Sequence, residues 1–217
     1  LKHILHFTTM AQGGSKATLE TAAEGKSPEF SNVNTAADDV ALIAFTSGTT
    51  GQPKGTIHYH RDIMAITDCF PRYLGKITPD DVVTGTPPLA FTFGLGGVTL
   101  FPMRFGASTR FFSSSGPEAL FETINHHHVT QVYTAPTTFR TMANLIGKYD
   151  LSTLRQGISA GETLPKATWE AFHEVTGIKL IDGLGSTEML HIFVSASPDE
   201  MRPGYTGKAV PGYQAKV

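Results

Sequence analysis

The chain has 217 residues, of which 40% are hydrophobic and 17% are charged, and its formal net charge is -2. This length suffices for a domain with a substantial core, while the balanced charge excludes a basic nucleic-acid-binding surface and a charge-driven disordered chain. The single cysteine, Cys69, excludes an internal disulfide and favours a reducing, cytoplasmic compartment. No signal peptide is predicted. Because the chain begins with Leu1 rather than Met, we interpret it as a piece of a longer protein.

The first 35 residues show no clear period and are predicted to be irregular; after them, strand-like and helix-like segments alternate. Strands are predicted at 40–46, 82–86, 107–112, 129–134, 155–159 and 178–181. Helices are predicted at 61–75, 94–104, 117–127, 136–147 and 165–176. This alternation predicts an α/β fold in which a mostly parallel sheet is flanked by helices on both faces.

Two of the helices have clear sequence boundaries. Ser115 is predicted to cap the helix at 117–127, which begins with Pro117. Pro165 is predicted to open the helix at 165–176 and Gly177 to end it. The three histidines at 126–128 point in different directions on a helix, so we interpret them as a helix terminus rather than a metal site.

The uncharged segment 82–103 is long enough to cross a membrane. Pro87 and Pro88 interrupt it, however, and proline removes a backbone donor and crowds the preceding turn of a helix. We therefore expect a strand, a loop and then a helix that begins near Gly94, and no membrane span.

A loop rich in glycine and hydroxyl side chains, TSGTTGQPKG at 46–55, follows the first predicted strand. Glycines let backbone amides approach an anion, and Lys54 adds a positive charge. At the carboxyl end of a strand in a parallel sheet, such a loop is predicted to bind a polyphosphate. It is not a Walker A loop, because counting from Gly48 gives Pro53-Lys54-Gly55 where Gly-Lys-Ser/Thr is required. A cluster of this composition is also typical of a plain surface turn.

Five segments in order resemble the motifs of the adenylate-forming superfamily, which comprises acyl- and aryl-CoA ligases, adenylation domains of peptide synthetases, and luciferases. They are TSGTTGQPKG at 46–55, PPLAFTFGLGG at 87–97, SAGETLP at 159–165, DGLGSTEML at 182–190 and GYTGKAVPGY at 204–213. The resemblance covers roughly residues 36–217. Within the superfamily, the chain is most similar to the aryl-CoA ligases of 2-aminobenzoate and then of benzoate. It departs from many members at Leu184, where they carry a tyrosine that stacks on adenine.

The resemblance implies that ATP and a carboxylic acid form an acyl adenylate, which then reacts with coenzyme A. It implies that the β- and γ-phosphates contact Thr46, Ser47, Gly48, Thr49, Thr50, Gly51 and Lys54. It places Thr187 at the α-phosphate and Glu188 at Mg²⁺. The residues implied around the adenine are Gly161, Glu162, Asp182, Gly183 and Leu184.

For the acid, the resemblance implies a flat apolar slot between the aromatic motif and the segment after Glu188. Its walls would be formed by Phe91, Thr92, Phe93, His191 and Ile192. Ala160 and Gly183 would form its floor. By this resemblance, Phe93 stands where benzoate ligases carry a Tyr. Without the Tyr hydroxyl, this slot is expected to be less polar than theirs. Each side chain has a plainer interpretation, since aromatic pairs are usually core and a lone histidine is usually structural.

The resemblance further implies that a ribose-binding Asp, a hinge and a C-terminal lid domain with a catalytic Lys belong beyond residue 217. Residues 1–217 would then form one partial domain, from the large N-terminal domain of an adenylate-forming enzyme, within a possible homodimer. Three alternatives stay open. They are a non-catalytic nucleotide-binding module, a ligase for aliphatic acids, and a kinase with an unusual phosphate loop, although no kinase motif is present.

Overall fold

The structure is a computed structural model that describes residues 22–46, 51–112 and 116–216. The chain divides into two units, Leu1–Thr35 and Ala36–Val217. Of the first unit the structure describes residues 22–35, which are exposed and, after a helical turn, have no regular secondary structure. This agrees with the irregular segment that the sequence predicts. All elements named below belong to the second unit.

The second unit begins with a β-hairpin. Strand β1 (Val40–Thr46) pairs antiparallel with β2 (Lys54–Tyr59) in a separate two-stranded sheet. The prediction that β1 belongs to the parallel sheet is therefore wrong. An apolar, β-branched segment indicates a strand but does not identify its partner. The loop 46–55 accordingly connects two hairpin strands, and its residues 47–50 lie outside the described residues.

A seven-stranded sheet forms the centre of the unit, in the order β4-β3-β5-β6-β7-β8-β9. Its strands are β3 (Val82–Gly85), β4 (Ser108–Thr109), β5 (Gln131–Thr134), β6 (Gln156–Ser159), β7 (Ile181–Gly185), β8 (Ile192–Ser195) and β9 (Lys208–Ala209). Strands β3 to β7 pair in parallel, whereas β8 and β9 add to one edge in antiparallel pairs. The chain reverses its direction of winding between β3 and β5, and ligands of such sheets bind beyond the carboxyl ends of the strands.

Helices cover both faces of this sheet, as predicted. The regular helices are α1 (His60–Asp68), α2 (Thr92–Leu95), α3 (Phe101–Phe105), α4 (Pro117–His127), α5 (Pro136–Leu145) and α6 (Lys166–Thr176). Two π-helical turns, Pro71–Gly75 and Gly96–Leu100, extend α1 and join α2 to α3. Gly97 packs against Tyr133 on one face, and Phe139 packs against Gly157 on the other. The buried core lies on both sides of strands β3 to β7.

Several predicted boundaries differ from those observed. The helix predicted at 94–104 begins at Thr92 and consists of three helical segments. The strand predicted at 178–181 is observed at Ile181–Gly185 instead. It extends beyond the predicted end because residues 183–185 continue the sheet despite two glycines. The strand predicted at 107–112 is reduced to two residues. Strands β2, β8 and β9 have no predicted counterpart.

The predicted helix boundaries are largely confirmed. Helix α4 begins at Pro117, and His128 ends it in the left-handed conformation, so the three histidines form a helix terminus. The proposed cap Ser115 lies outside the described residues. Pro165 precedes α6 and Gly177 ends it. The described residues contain no helix that is long and apolar enough to span a membrane.

Polar side chains join the amino ends of three adjacent strands. Both oxygens of the Asp81 carboxylate accept hydrogen bonds from Arg155, at 2.9 and 2.6 Å, and Thr130 Oγ1 donates at 2.6 Å. Asp81 immediately precedes β3, Thr130 precedes β5 and Arg155 precedes β6. Burial would raise the pKa of Asp81, but the hydrogen bonds from Arg155, Thr130 and the Thr78 amide outweigh it and lower the pKa to about 2.

Candidate active site

Two adjoining pockets lie at the carboxyl ends of β6 and β7. The first encloses about 160 Å³ and is lined by Phe91, Thr92, Phe93, Ala160, Gly161, Gly185, Ser186, Thr187, His191 and Ile192. The second, a more open groove, is lined by Gly161, Glu162, Thr163, Asp182, Gly183, Leu184, Gly185 and Thr206. Gly161 and Gly185 border both pockets, so a ligand can extend from one into the other. We call them the ring pocket and the groove.

The ring pocket contains six of the seven residues predicted to bind the acid. Phe91 is half exposed at its mouth, whereas Thr92, Phe93, Ala160 and His191 are buried. The seventh, Gly183, lies instead in the groove, where it makes room for Ile192. A Cβ atom at position 183 would lie 2.4 Å from Cδ1 of Ile192. An apolar cavity of roughly 150 Å³ holds a benzene molecule, so the ring pocket fits an aromatic ring.

His191 lies in a cage of aromatic rings. Its ring centroid is 4.5 Å from that of Phe101, 5.4 Å from Phe93 and 5.6 Å from Phe70. Burial lowers the pKa of His191 to about 3, so its imidazole is neutral near pH 7. Neither ring nitrogen meets full hydrogen-bond geometry with a described residue, although the nearby Phe93 backbone partly opposes the fall in the pKa of His191. A buried polar group without a well-formed hydrogen bond is rare in a folded protein, and this one lies on the wall of the ring pocket.

Glycines in the π-helical turn make this cage possible. A Cβ atom at Gly96 would lie 2.5 Å from Cδ2 of His191, and one at Gly97 would lie 2.6 Å from the ring of Tyr133. Real Cβ atoms do not approach other atoms so closely, so any larger residue would displace these rings. Gly96 and Gly97, the last two residues of the motif PPLAFTFGLGG, thus shape the ring pocket without lining it.

In the groove, a buried carboxylate lies beside exposed apolar surface. Asp182 accepts a hydrogen bond from Thr206 Oγ1 at 2.9 Å, and burial raises the pKa of its carboxyl group. Leu184 follows on β7 with its side chain half exposed. Glu162 is also exposed. All five residues predicted to surround the adenine line this groove, and Leu184 offers it an aliphatic surface.

A tight turn, residues 186–190, follows β7 and contains the motif residues Thr187 and Glu188. The Thr187 carbonyl accepts the Leu190 amide at 3.2 Å, and Leu190 has a positive φ of 62°. Such a conformation is rare for a residue other than glycine or asparagine, so the surrounding contacts hold this turn in place. Thr187 lines the ring pocket, and the Glu188 side chain is exposed.

The hairpin carries the remaining predicted residues. Thr46 and Lys54 form the last pair of its ladder, beside the loop that contains Gly51. Ser47, Gly48, Thr49 and Thr50 lie outside the described residues. Neither Thr46 nor Lys54 lines the ring pocket or the groove. The link to the other motifs is His58 on β2, whose Nε2 lies 2.8 Å from the Thr187 carbonyl oxygen.

Comparisons with known proteins identify the family of the chain. The family model described as AMP-binding enzyme matches residues 2–217. The chain belongs to the AMP-binding enzyme family. It is 34% identical, over 98% of its length, to the benzoate–CoA ligase of Thauera aromatica, of which it covers 41%. The chain therefore spans about two fifths of this curated relative.

Solved structures of similar proteins share the fold. The anthranilate CoA ligase AuaEII, in complex with anthranoyl-AMP, has a TM-score of 0.90 and 34% identity, with 99% of this chain and 42% of that chain covered. The benzoate CoA ligase from Burkholderia xenovorans LB400 has a TM-score of 0.80 and 32% identity, with 90% and 40% covered. The chain thus has the α/β fold of the N-terminal domains of adenylate-forming enzymes.

Sequence motifs did not reveal every residue in or around this candidate site. Phe70, Phe101 and Tyr133 surround His191, yet they belong to ordinary apolar segments whose pattern indicates only a core. Ser186 and Gly185 lie inside the quoted motif DGLGSTEML, and Thr206 lies inside GYTGKAVPGY. Their position inside these motifs was the sequence signal that could have identified these three residues.

Proposed function

We propose that this chain carries the ATP and acid sites of an aryl-CoA ligase. The observation that carries the proposal is the pair of adjoining pockets that share Gly161 and Gly185. An acyl adenylate joins an acyl group and a nucleotide through one phosphate, so it needs two pockets with a common border. The ring pocket has the size of a benzene ring, which favours an aromatic acid over a long aliphatic one.

The reaction needs no nucleophile from the protein. The carboxylate of the acid attacks the α-phosphorus of ATP, pyrophosphate leaves, and an acyl adenylate forms. The thiol of coenzyme A then attacks the acyl carbonyl, and AMP leaves. The chain contributes by holding the reacting groups in line and by stabilising the charge on phosphate oxygens.

On this proposal, three parts of the chain hold the triphosphate. Lys54 and the loop before it contact the β- and γ-phosphates. The Thr187 hydroxyl contacts the α-phosphate, which lies where the ring pocket meets the groove. The adenine lies in the groove against Leu184, between Gly161 and Asp182.

Glu188 fits a magnesium ion that arrives with the nucleotide. Within residues 22–46, 51–112 and 116–216, no group of three or more His, Cys, Asp or Glu side chains is arranged to hold a metal. Mg²⁺ typically takes one or two carboxylates and completes its shell with phosphate oxygens and water, so one exposed carboxylate beside the α-phosphate site suffices. The bound ion would neutralise charge on the phosphates.

Among aromatic acids, 2-aminobenzoate matches the ring pocket better than benzoate. The neutral His191 has an unpaired ring nitrogen that can accept a hydrogen bond from an ortho amino group. The buried hydroxyl of Thr92 is a second polar group on the pocket wall. Benzoate would leave the imidazole without a partner, which costs free energy in a buried site.

Acid-dependent exchange of labelled pyrophosphate into ATP tests the proposal in a full-length enzyme that contains this chain. We expect exchange with 2-aminobenzoate and benzoate, with a higher kcat/KM for 2-aminobenzoate, and little exchange with acetate or a long-chain fatty acid. Exchange with aliphatic acids alone would overturn the pocket assignment and leave adenylation intact. No exchange with any acid, despite ATP binding, would favour a non-catalytic nucleotide-binding module.

A further inference from the structure

His58 is buried, whereas the other strand residues of the hairpin are exposed or half-buried. Only 4% of its surface is accessible, whereas Lys54 and Gly55 on the same strand are exposed. It pairs with Leu42 across the hairpin ladder. Burying an imidazole costs free energy unless the ring is hydrogen-bonded, so the contact that His58 makes is the relevant observation.

That contact reaches across the chain to the motif turn after β7. His58 Nε2 lies 2.8 Å from the carbonyl oxygen of Thr187, 129 residues away in sequence. A carbonyl only accepts, so Nε2 carries the proton and donates it. The same oxygen accepts the Leu190 amide at 3.2 Å, so both of its lone pairs are used. His58 therefore holds the peptide that follows the proposed α-phosphate ligand.

Polar side chains at the start of α1, which follows the hairpin directly, do not make this connection. Arg61 pairs with Asp38, and the side chain of Asp62 accepts the Tyr59 amide at the start of α1. These contacts stabilise the hairpin and its helix locally. The bond from His58 to Thr187 instead joins the strand that begins at Lys54 to the turn that contains Glu188.

The geometry points to His58 as a positioning residue that fixes the triphosphate-binding hairpin relative to the Thr187–Glu188 turn. This inference rests on the proposed function, in which Lys54 holds the outer phosphates while Thr187 and Glu188 hold the α-phosphate and the metal. In-line displacement at phosphorus requires these groups to lie in register along one triphosphate. His58 sets that register without touching the nucleotide.

Two substitutions separate positioning from mere stability. His58→Gln keeps an N–H donor at about the place of Nε2, whereas His58→Met keeps the volume and removes the donor. In the full-length enzyme we expect His58→Met to lower kcat/KM for ATP in pyrophosphate exchange by roughly tenfold, the effect of one lost hydrogen bond. The KM for the aromatic acid should stay within about twofold of the wild-type value, because the ring pocket is unchanged.

His58→Gln should recover most of the lost activity towards ATP, and the control His60→Gln, which alters the next histidine but no motif contact, should resemble the wild type. Equal losses of kcat/KM for ATP and for the acid in His58→Met would overturn the inference. A His58→Gln variant as impaired as His58→Met would also overturn it. So would a His58→Met variant with wild-type kinetics. If the wild-type enzyme itself shows no acid-dependent exchange, the proposed function fails, and that result is distinct from either outcome.

Discussion

At the scale of single residues, the motif side chains separate into three groups. Phe93, Ala160 and His191 shape the mostly apolar ring pocket, whereas Thr187 and Glu188 lie on a turn at its rim. Lys54 lies apart from both, at the start of β2. Substitutions in the first group should therefore alter the choice of acid, and those at Lys54 should alter the use of ATP.

Replacing Lys54 with alanine should impair adenylation. The substitution removes a positive charge that the proposal places at the β- and γ-phosphates, and losing such a contact typically lowers the rate by roughly 10²-fold. The measurement is the initial rate of pyrophosphate exchange at saturating acid. Lys148→Ala, at an exposed position away from the motifs, serves as the control. Wild-type exchange in Lys54→Ala would contradict the assignment of the polyphosphate loop.

A larger side chain on the floor of the ring pocket should impair use of the acid more than use of ATP. Ala160→Leu adds three carbon atoms to a buried position that lines this pocket, so we expect kcat/KM for benzoate to fall by roughly tenfold or more. The KM for ATP should change by less than about twofold. Ala160→Gly is the matched control and should retain aromatic acids. A loss confined to ATP binding would contradict the placement of the ring.

At the scale of elements, the sequence predicted the alternation of strands and helices because apolar periodicity reports burial directly. It missed the pairing of β1 with β2, since propensity carries no information about which strand lies alongside. It also ended β7 too early. Gly183 and Gly185 weaken a strand prediction, yet the close approach of Ile192 and the His191 backbone excludes a Cβ atom at either position.

The same limit applies to the candidate site. The motifs identified most of the residues that line the two pockets, because each motif contributes a short run of neighbouring residues. The aromatic cage was missed, because Phe70, Phe101 and Tyr133 come from three distant elements that only the folded sheet brings together.

The carboxylate that joins three strands predicts a pH dependence of stability. The pKa of Asp81 is lowered to about 2 from an ordinary value of 3.8, so its ionised form stabilises the folded state above pH 3.8. This stabilisation should be lost as the pH falls from about 3.8 through about 2. Because Arg155 is partly exposed, solvent screening reduces the contribution to about 1–2 kcal/mol.

Urea unfolding at several pH values measures this contribution. Asp81→Asn should lower the free energy of unfolding at pH 7, and the difference from the wild type should shrink below pH 3. Asp68→Asn, which removes an exposed carboxylate paired with Arg72 and Arg104, should cost less than about 1 kcal/mol. An equal cost for both variants, unchanged by pH, would contradict the role given to Asp81.

At the scale of the whole molecule, the chain spans about two fifths of the benzoate–CoA ligase of Thauera aromatica. The described residues contain the ring pocket, the groove and the hairpin, whereas the rest of that ligase has no counterpart in this chain. We therefore expect purified residues 1–217 to form no acyl-CoA, as measured by chromatography of the thioester. Thioester formation by this chain alone, free of contaminating ligase, would show that the two pockets suffice.

The central claim is that the ring pocket holds the ring of an aromatic acid while the groove holds adenine. It is tested most directly by a crystal structure of the full-length enzyme with a stable sulfamoyl analogue of 2-aminobenzoyl-AMP. We predict the aromatic ring between Phe93, Ala160 and His191, its amino group within hydrogen-bonding distance of the His191 imidazole, and the adenine on Leu184. An aromatic ring bound outside this pocket, or an adenine away from Leu184, would contradict the account.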